Sequence, residues 1–251
     1  KRVAVDLGHV PLPQKPELKY QEKIAIIGSG PAGLIAANDL AKKGYAVTIF
    51  EQDNKAGGVL QQYIPLYRLP RHTIERDINN ILDLGVQIKT DSALGKDFSL
   101  KDLQAQGYKA ILLALGLPQS RSIPVPGVNA KNVILALPFL KAVNQEGFRF
   151  PQGKRIIVVG GGNVAIDVAR SARRAGAAAT HMVCLESREE MPAHPWEIKE
   201  AEEEGIDISC SYGPRCILTE ESGAVKGLEC KAVKAVFDEQ GRFNPTYYED
   251  R

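Results

Sequence analysis

The sequence predicts an α/β protein of two Rossmann-like dinucleotide-binding domains, three-layer in type, with a small antiparallel β element near the C-terminus. Two observations carry this. The strand–glycine–helix pattern Ile24-Ala-Ile-Ile-Gly28-Ser-Gly30-Pro-Ala-Gly33 recurs later as Ile156-Ile-Val-Val-Gly160-Gly-Gly162-Asn-Val-Ala165. Each is then closed by an acid, Glu51 and Glu186, at the spacing of about 20 residues that a βαβ dinucleotide unit requires. At 251 residues the chain accommodates two domains of ordinary size.

The elements follow in order. Pro11, Pro13 and Pro16 fix φ and remove donors, so residues 1–22 read as an extended lead-in over a domain surface. Lys23–Ile27 is a strand and Pro31–Lys43 a helix, since Pro31 suits a first turn and Gly44 a stop. Tyr45–Phe50 alternates as the second strand. Ile74, Ile78, Ile81 and Leu82 form the apolar stripe of a helix near Thr73–Leu84. Val86–Thr90 and Ala110–Leu115 are further strands, and the unbroken apolar run of the latter predicts burial on both faces. Proline and glycine crowd Leu117–Gly127 as a crossover, and helical spacing returns over Asn132–Asn144. Residues 154 to about 175 repeat strand, glycine turn and helix, with Thr180–Leu185 as the next strand. The acidic stretch Pro195–Gly205 reads as a solvated helix face. From Ile206 onward, short antiparallel strands are punctuated by Gly213, Gly223 and Gly241.

Composition narrows the function. Hydrophobic residues at 44% and charged residues at 25% are those of a soluble globular chain. A net charge of +2 gives no support for a nucleic-acid or membrane partner, and no apolar run approaches the roughly 20 residues of a bilayer span. Cys184, Cys210, Cys216 and Cys230 form no CxxC pair, so reduced thiols in a cytoplasmic protein are expected, with no metal site. The opening Lys1-Arg2-Val3 is expected of a fragment or a processed product.

The glycine turns carry the chemistry. Gly28 permits the tight turn, Gly30 clears space for a pyrophosphate, and Gly33 lets the helix close on the strand. Pro31 and Ala32 open that helix, whose free N–H groups and dipole favour the anion. Glu51 is placed to accept hydrogen bonds from ribose hydroxyls. Gly57-Gly58 beyond it tilts this first site toward FAD, because backbone must pass a bulky ligand there. In the second turn Gly160 and Gly162 keep the first two roles and Ala165 replaces the third glycine, as where a helix stands slightly farther from its strand. Asn163 and Val164 begin that helix beside the nucleotide; for Asn163 and Asp167, capping or core hydrogen bonding is the competing reading.

Four stretches, Gly28–Gly33, Gly57-Gly-Val-Leu-Gln-Gln-Tyr-Ile-Pro-Leu-Tyr-Arg-Leu-Pro70, Gly160–Asp167 and Ser187-Arg-Glu-Glu-Met-Pro-Ala193, make the chain similar to one family. It resembles the small (beta) subunit of bacterial glutamate synthase and its relatives, including the flavin part of dihydropyrimidine dehydrogenase and the NADH-dependent ferredoxin:NADP oxidoreductases. The resemblance implies an FAD domain, 23–147, whose C-terminal part lies beyond this sequence, and a nicotinamide-nucleotide domain, 148–251, also cut short. It implies hydride transfer between the nucleotide and FAD, with electrons relayed to iron–sulfur clusters in missing segments or in a partner, an iron–sulfur electron-transfer protein or a catalytic large subunit. No catalytic acid or base is required. Leu60, Ile64, Pro65 and Arg68 fall in the segment that lies near the flavin, and Ala114-Leu115-Gly116 stands where relatives have Ala-Thr-Gly in the loop covering the cofactor.

NADPH-using relatives place adjacent arginines where this chain has Leu185 and Glu186. A carboxylate accepts from a ribose 2′-OH and repels a 2′-phosphate, so NAD(H) is expected over NADP(H), with Arg188 as the countervailing cation. Two alternatives remain. A disulfide reductase would need a cysteine pair by the flavin, which the sequence lacks. A nucleotide-binding scaffold or sensor would bind without turnover.

Overall fold

The computed structural model describes residue 8, residues 13–144 and residues 148–249. Of the lead-in, therefore, only 13–22 and Gly8 are described; the rest lies outside. The chain divides into two units, Lys1–Pro118 and Gln119–Arg251.

The first unit is built on β1 (Lys23–Ile27), β2 (Ala46–Phe50), β3 (Gln87–Lys89) and β4 (Tyr108–Leu113), all parallel in the order β3-β2-β1-β4. This is the order of a doubly wound sheet, in which the first strand sits centrally and the glycine turn leaves its carboxyl end. Helix α1 (Pro31–Lys43) begins on Gly30 with Pro31 in its first turn, and Gly44 ends it at φ 96°, its N–H donating to Ala41 O at 2.9 Å. Ile24, Ile26, Leu34, Ala37, Val47 and Ile49 close one face of the sheet. Ala25, Ile27, Phe50 and Leu103 close the other. Leu103 lies on α4 (Leu100–Ala105), a helix set by the reciprocal Ser99–Asp102 capping box. Two other helices, α2 (Val59–Gln62) and α3 (Arg71–Leu82), lie between β2 and β3. Lys19 N–H donates to Gly44 O at 2.9 Å and Tyr20 stacks on Tyr45, so the described lead-in runs extended over this unit.

In the second unit α5 (Ala136–Val143) precedes β5 (Arg155–Val159), α6 (Asn163–Arg174), β6 (Ala179–Val183), α7 (Pro195–Glu203) and β7 (Asp207–Ser209). The three strands are parallel in the order β5-β6-β7. Val158, Ile166, Ala169, Met182, Ile198 and Ala201 form the core between this sheet and helices α6 and α7. An antiparallel sheet follows, β8 (Tyr212–Thr219), β9 (Val225–Phe237) and β10 (Phe243–Tyr247), in the order β10-β9-β8.

Several expectations change. The run at 110–115 forms β4 at 108–113, but among the described residues it pairs with β1 alone, at the sheet edge, and Leu112, Leu113 and Leu115 are exposed. An apolar run records affinity for a sheet, not a position within it. Strand β7 is parallel rather than antiparallel, because it extends the β6 ladder before the chain turns, and β9 is long rather than short. Helix α5, on the second-unit side of the division after Pro118, packs on α6.

The acidic helix is more than a solvated face. Arg170, buried on α6, bonds Glu200, and its Nη2 reaches Glu204 at 2.7 Å. Arg174 joins Glu204 at 2.7 Å and Glu197 is buried. These pairs clamp α7 to α6. Arg170 is the buried member of these pairs, and the carboxylates it leaves stay part-exposed, with Glu204 still joined to Arg174, so Arg170→Ala is expected to cost about 1–3 kcal/mol in urea unfolding. Partial burial of Glu204 raises its pKa, but hydrogen bonds from Arg174 and Arg170 outweigh this and hold it below the ordinary carboxylate range. Its contribution is therefore complete above the unfolded-state value of about 4.3 and is lost as pH falls through the lower folded-state value. Over that window the urea midpoint of the wild type should fall more steeply than that of Glu204→Gln.

Candidate functional site

Each unit carries a glycine turn at the carboxyl end of its first strand, and the two differ in detail. In the first, Gly28 adopts φ 104° and its N–H donates to Phe50 O at 2.8 Å, joining the turn to β2. A Cβ on Gly28 would lie 2.4 Å from Ala114 O, so Ala114 packs directly on the turn while Gly116, at φ 65°, continues into exposed chain. A Cβ on Gly33 would strike Gly28 O at 1.9 Å, which is the close helix–strand approach expected of it. Gly30 faces open space, with nothing within 4 Å of an added Cβ. That clearance sits at the start of α1, where the N–H groups of Ala32 and Gly33 have no acceptor within the helix.

Glu51 closes this turn by a route the sequence reading missed. Its carboxylate is buried, and Oε2 accepts from both Ser29 N–H, at 2.9 Å, and the Ser29 hydroxyl. Oε1 accepts from Asp53 N–H at 3.0 Å. A buried carboxylate survives only when so bonded. Ser29 in turn receives Gly57 N–H on its hydroxyl oxygen at 3.0 Å. The only signal for Ser29 in the sequence was its place between the first two glycines.

Gly57 and Gly58 have φ 124° and 53°, and a Cβ on Gly58 would sit 2.7 Å from Gly30 Cα. The close approach that demands glycine at 58 is thus to the first turn itself. The same segment brings along Leu60, whose carbonyl accepts from Arg71 at 3.1 Å, and Ile64, whose N–H donates to Val59 O. Arg68 N–H bonds Pro65 O, and its guanidinium lies 5.6 Å from the Tyr67 ring centre.

In the second turn Gly160 adopts φ 133° and donates to Val183 O at 2.8 Å. Ala165 lies at ordinary contact, 3.4 Å, from a Cβ placed on Gly160, so α6 has room for the extra methyl where Gly33 had none. Gly162 caps α6, and its nearest neighbour, Pro192, is 4.0 Å from an added Cβ. Val164 is exposed in the first turn of the helix. Asn163 caps nothing within its own helix: its Oδ1 accepts His194 N–H at 2.9 Å. The middle glycine, Gly161, matters as much as its neighbours. A Cβ there would meet Glu186 Oε2 at 2.9 Å and Cys184 Cβ at 3.0 Å. The acid predicted to read the ribose therefore lies against the turn. Arg188 Nη2 pairs with Glu202 on α7 at 2.7 Å.

The remaining chemistry is sparse. The four cysteines are free thiols, and burial, then the neighbouring Cys210, pushes the Cys184 thiol up to about 12. Among the described residues no group of three His, Cys, Asp or Glu could hold a metal ion, and no helix is long and apolar enough to cross a membrane.

Residues 22–242 match the profile of the pyridine nucleotide-disulphide oxidoreductases. The chain is 42% identical over 227 residues to the NADP(+)-dependent formate dehydrogenase subunit beta of Moorella thermoacetica, covering 89% of this chain and 32% of that subunit. It is 34% identical over 220 residues to the glutamate synthase [NADPH] small chain of Escherichia coli (strain K12), covering 83% and 46%. It thus spans between a third and a half of these curated relatives. Mycobacterium tuberculosis FprA in complex with NADPH shares the fold, with a TM-score of 0.78 at 18% identity over 92% of this chain and 68% of that one.

Two substitutions separate the roles of the first turn. Gly33→Ala, forced against Gly28 O, should lower the melting temperature sharply. Gly30→Ala, at φ −68° in open space, should leave it nearly unchanged. Ser29→Ala, which removes one donor to buried Glu51, should cost about 1–3 kcal/mol in denaturant unfolding.

Proposed function

The chain belongs to the pyridine nucleotide-disulphide oxidoreductase family, and from that footing we propose that it is the two-nucleotide portion of a flavoprotein oxidoreductase subunit. It moves hydride between a nicotinamide nucleotide and FAD, and electrons pass onward to iron–sulfur clusters outside this chain. One observation carries the reading: two glycine turns, each backed by a carboxylate from the end of the next strand. Two pyrophosphate cradles in one chain suit a pair of cofactors that exchange electrons.

The first turn fits FAD. Gly30 leaves the space that a Cβ would fill, and the open N–H groups of Ala32 and Gly33 face a site for negative charge. Glu51 already bonds the backbone of the turn, so it holds the cradle rigid and keeps lone pairs for ribose hydroxyls. Leu60, Ile64, Arg68, Ala114 and Gly116 are the proposed wall around the rest of the cofactor. When bound, FAD supplies the ring that takes up hydride. Hydride transfer asks no protein nucleophile or general base, so these residues bind, orient and exclude water. The disulfide-reducing variant of this chemistry is disfavoured, since it needs a vicinal cysteine pair beside the flavin and Cys184, Cys210, Cys216 and Cys230 form none.

The second turn takes the nicotinamide nucleotide, with Gly160, Gly162 and Ala165 at the pyrophosphate. Glu186 supports NAD(H). Its carboxylate lies against Gly161, while Arg188 is engaged by Glu202. Like charges held close cost several kcal/mol even at an effective dielectric of about 20, enough to disfavour a 2′-phosphate beside Glu186. The second reading, NADP(H), draws on the two curated relatives, whose names specify NADP(+) and NADPH. The downstream partner proposed is an iron–sulfur electron-transfer protein or a catalytic large subunit.

The experiment uses the full-length polypeptide that contains this chain. It should purify with flavin, released on denaturation and identified as FAD by mass spectrometry; a colourless protein that cannot be reconstituted with FAD overturns the flavoprotein reading. Titration should then give a dissociation constant for NADH at least tenfold below that for NADPH, and Glu186→Arg should reverse the order. Tighter NADPH binding to the wild type would assign the second reading instead.

A further inference from the structure

Next to the second turn the chain exposes an aromatic platform that nothing above uses. Trp196 is the sole tryptophan of the sequence and stands in the first turn of α7, 59% exposed. Its indole stacks on the His194 imidazole, ring centres 4.3 Å apart and planes 9° from parallel. An indole this open forgoes the burial that large aromatic side chains ordinarily find. With one face on His194, its other face is left to solvent.

The platform is fixed in place. Ala193 N–H donates to Gly161 O at 3.1 Å, and His194 N–H donates to Asn163 Oδ1 at 2.9 Å. Pro192 is the nearest neighbour of Gly162. Two hydrogen bonds therefore tie the segment leading to Trp196 onto Gly161 of the turn and onto Asn163, the first residue of α6, beside which a pyrophosphate would lie. The helix that carries Trp196 connects β6 to β7, so it starts from the same end of β6 as Glu186. That is the carboxyl end of the strand, where doubly wound sheets bind their ligands.

We infer that the open face of Trp196, backed by His194, receives the adenine ring of the dinucleotide bound at the second turn. The inference rests on the nicotinamide-nucleotide reading of that turn. Stacking on an aromatic side chain needs only the π-face of the base, so this contact contributes affinity to NADH and NADPH alike and leaves their discrimination to Glu186.

Calorimetric titrations of NAD+ and ADP-ribose into the wild-type full-length protein, Trp196→Ala and Trp196→Phe test it. ADP-ribose keeps the adenine, ribose and pyrophosphate but lacks nicotinamide. The alanine variant should bind both ligands about tenfold more weakly, and phenylalanine, which retains a ring, should restore affinity to within about threefold. Circular dichroism melts of both variants should match the wild type. Equal ADP-ribose affinity in wild type and Trp196→Ala overturns the inference, as does a loss confined to NAD+, which would move the contact to the nicotinamide ring. If the wild type binds neither NADH nor NADPH, the reading of the second turn fails, an outcome distinct from wild-type binding that the alanine change leaves intact.

Discussion

The structure depends on a carboxylate at the end of a second strand fastening the glycine turn at the end of the first. In the first unit the attachment is complete. Glu51 takes both donors of Ser29, Ser29 takes Gly57, and Gly58 presses on Gly30, so two segments, the end of β2 and Gly57-Gly58, lock onto one turn. Because the turn cannot move, the gap in front of Gly30 stays open. The charge of Glu51 is tolerated in the interior because backbone and hydroxyl donors satisfy it, and those same donors fix its distance from any sugar it would bind.

The second unit solves the same problem with different parts. There Gly161 allows Glu186 to close on the turn, and Ala193 and His194 brace it by hydrogen bonds to Gly161 and Asn163. Ala165 is accommodated because α6 stands off from Gly160. Behind the turn, Arg170 and Arg174 clamp α7 through Glu200 and Glu204, so the acidic stretch positions the very helix that carries Trp196.

Much of this was legible in the sequence because the informative residues act locally. Pro31 and Gly44 fix the two ends of α1 by their own backbone preferences, and the strand–glycine–helix order follows from the spacing of Gly28, Gly30 and Gly33. What was not legible depends on partners distant in sequence. The edge position of β4, the Ser29–Glu51 attachment and the pairing of Arg170 with α7 are properties of the folded arrangement, and an apolar or acidic run has no mark of them. Helix α4 is an exception. Its capping box at Ser99 and Asp102 was a local signal that the hydrophobic pattern alone did not bring out. The reading of Gly57-Gly58 needed the fold as well, since the surface they approach is Gly30.

Two rigid cradles in one chain make sense if the molecules they hold react with each other. The most direct measurement mixes the flavin-loaded full-length protein anaerobically, in a stopped-flow spectrophotometer, with NADH and with NADH carrying deuterium at the transferred C4 position. The account predicts loss of the visible flavin band within the mixing experiment, slower from the deuterated nucleotide. A flavin band unchanged by both NADH and NADPH would contradict it.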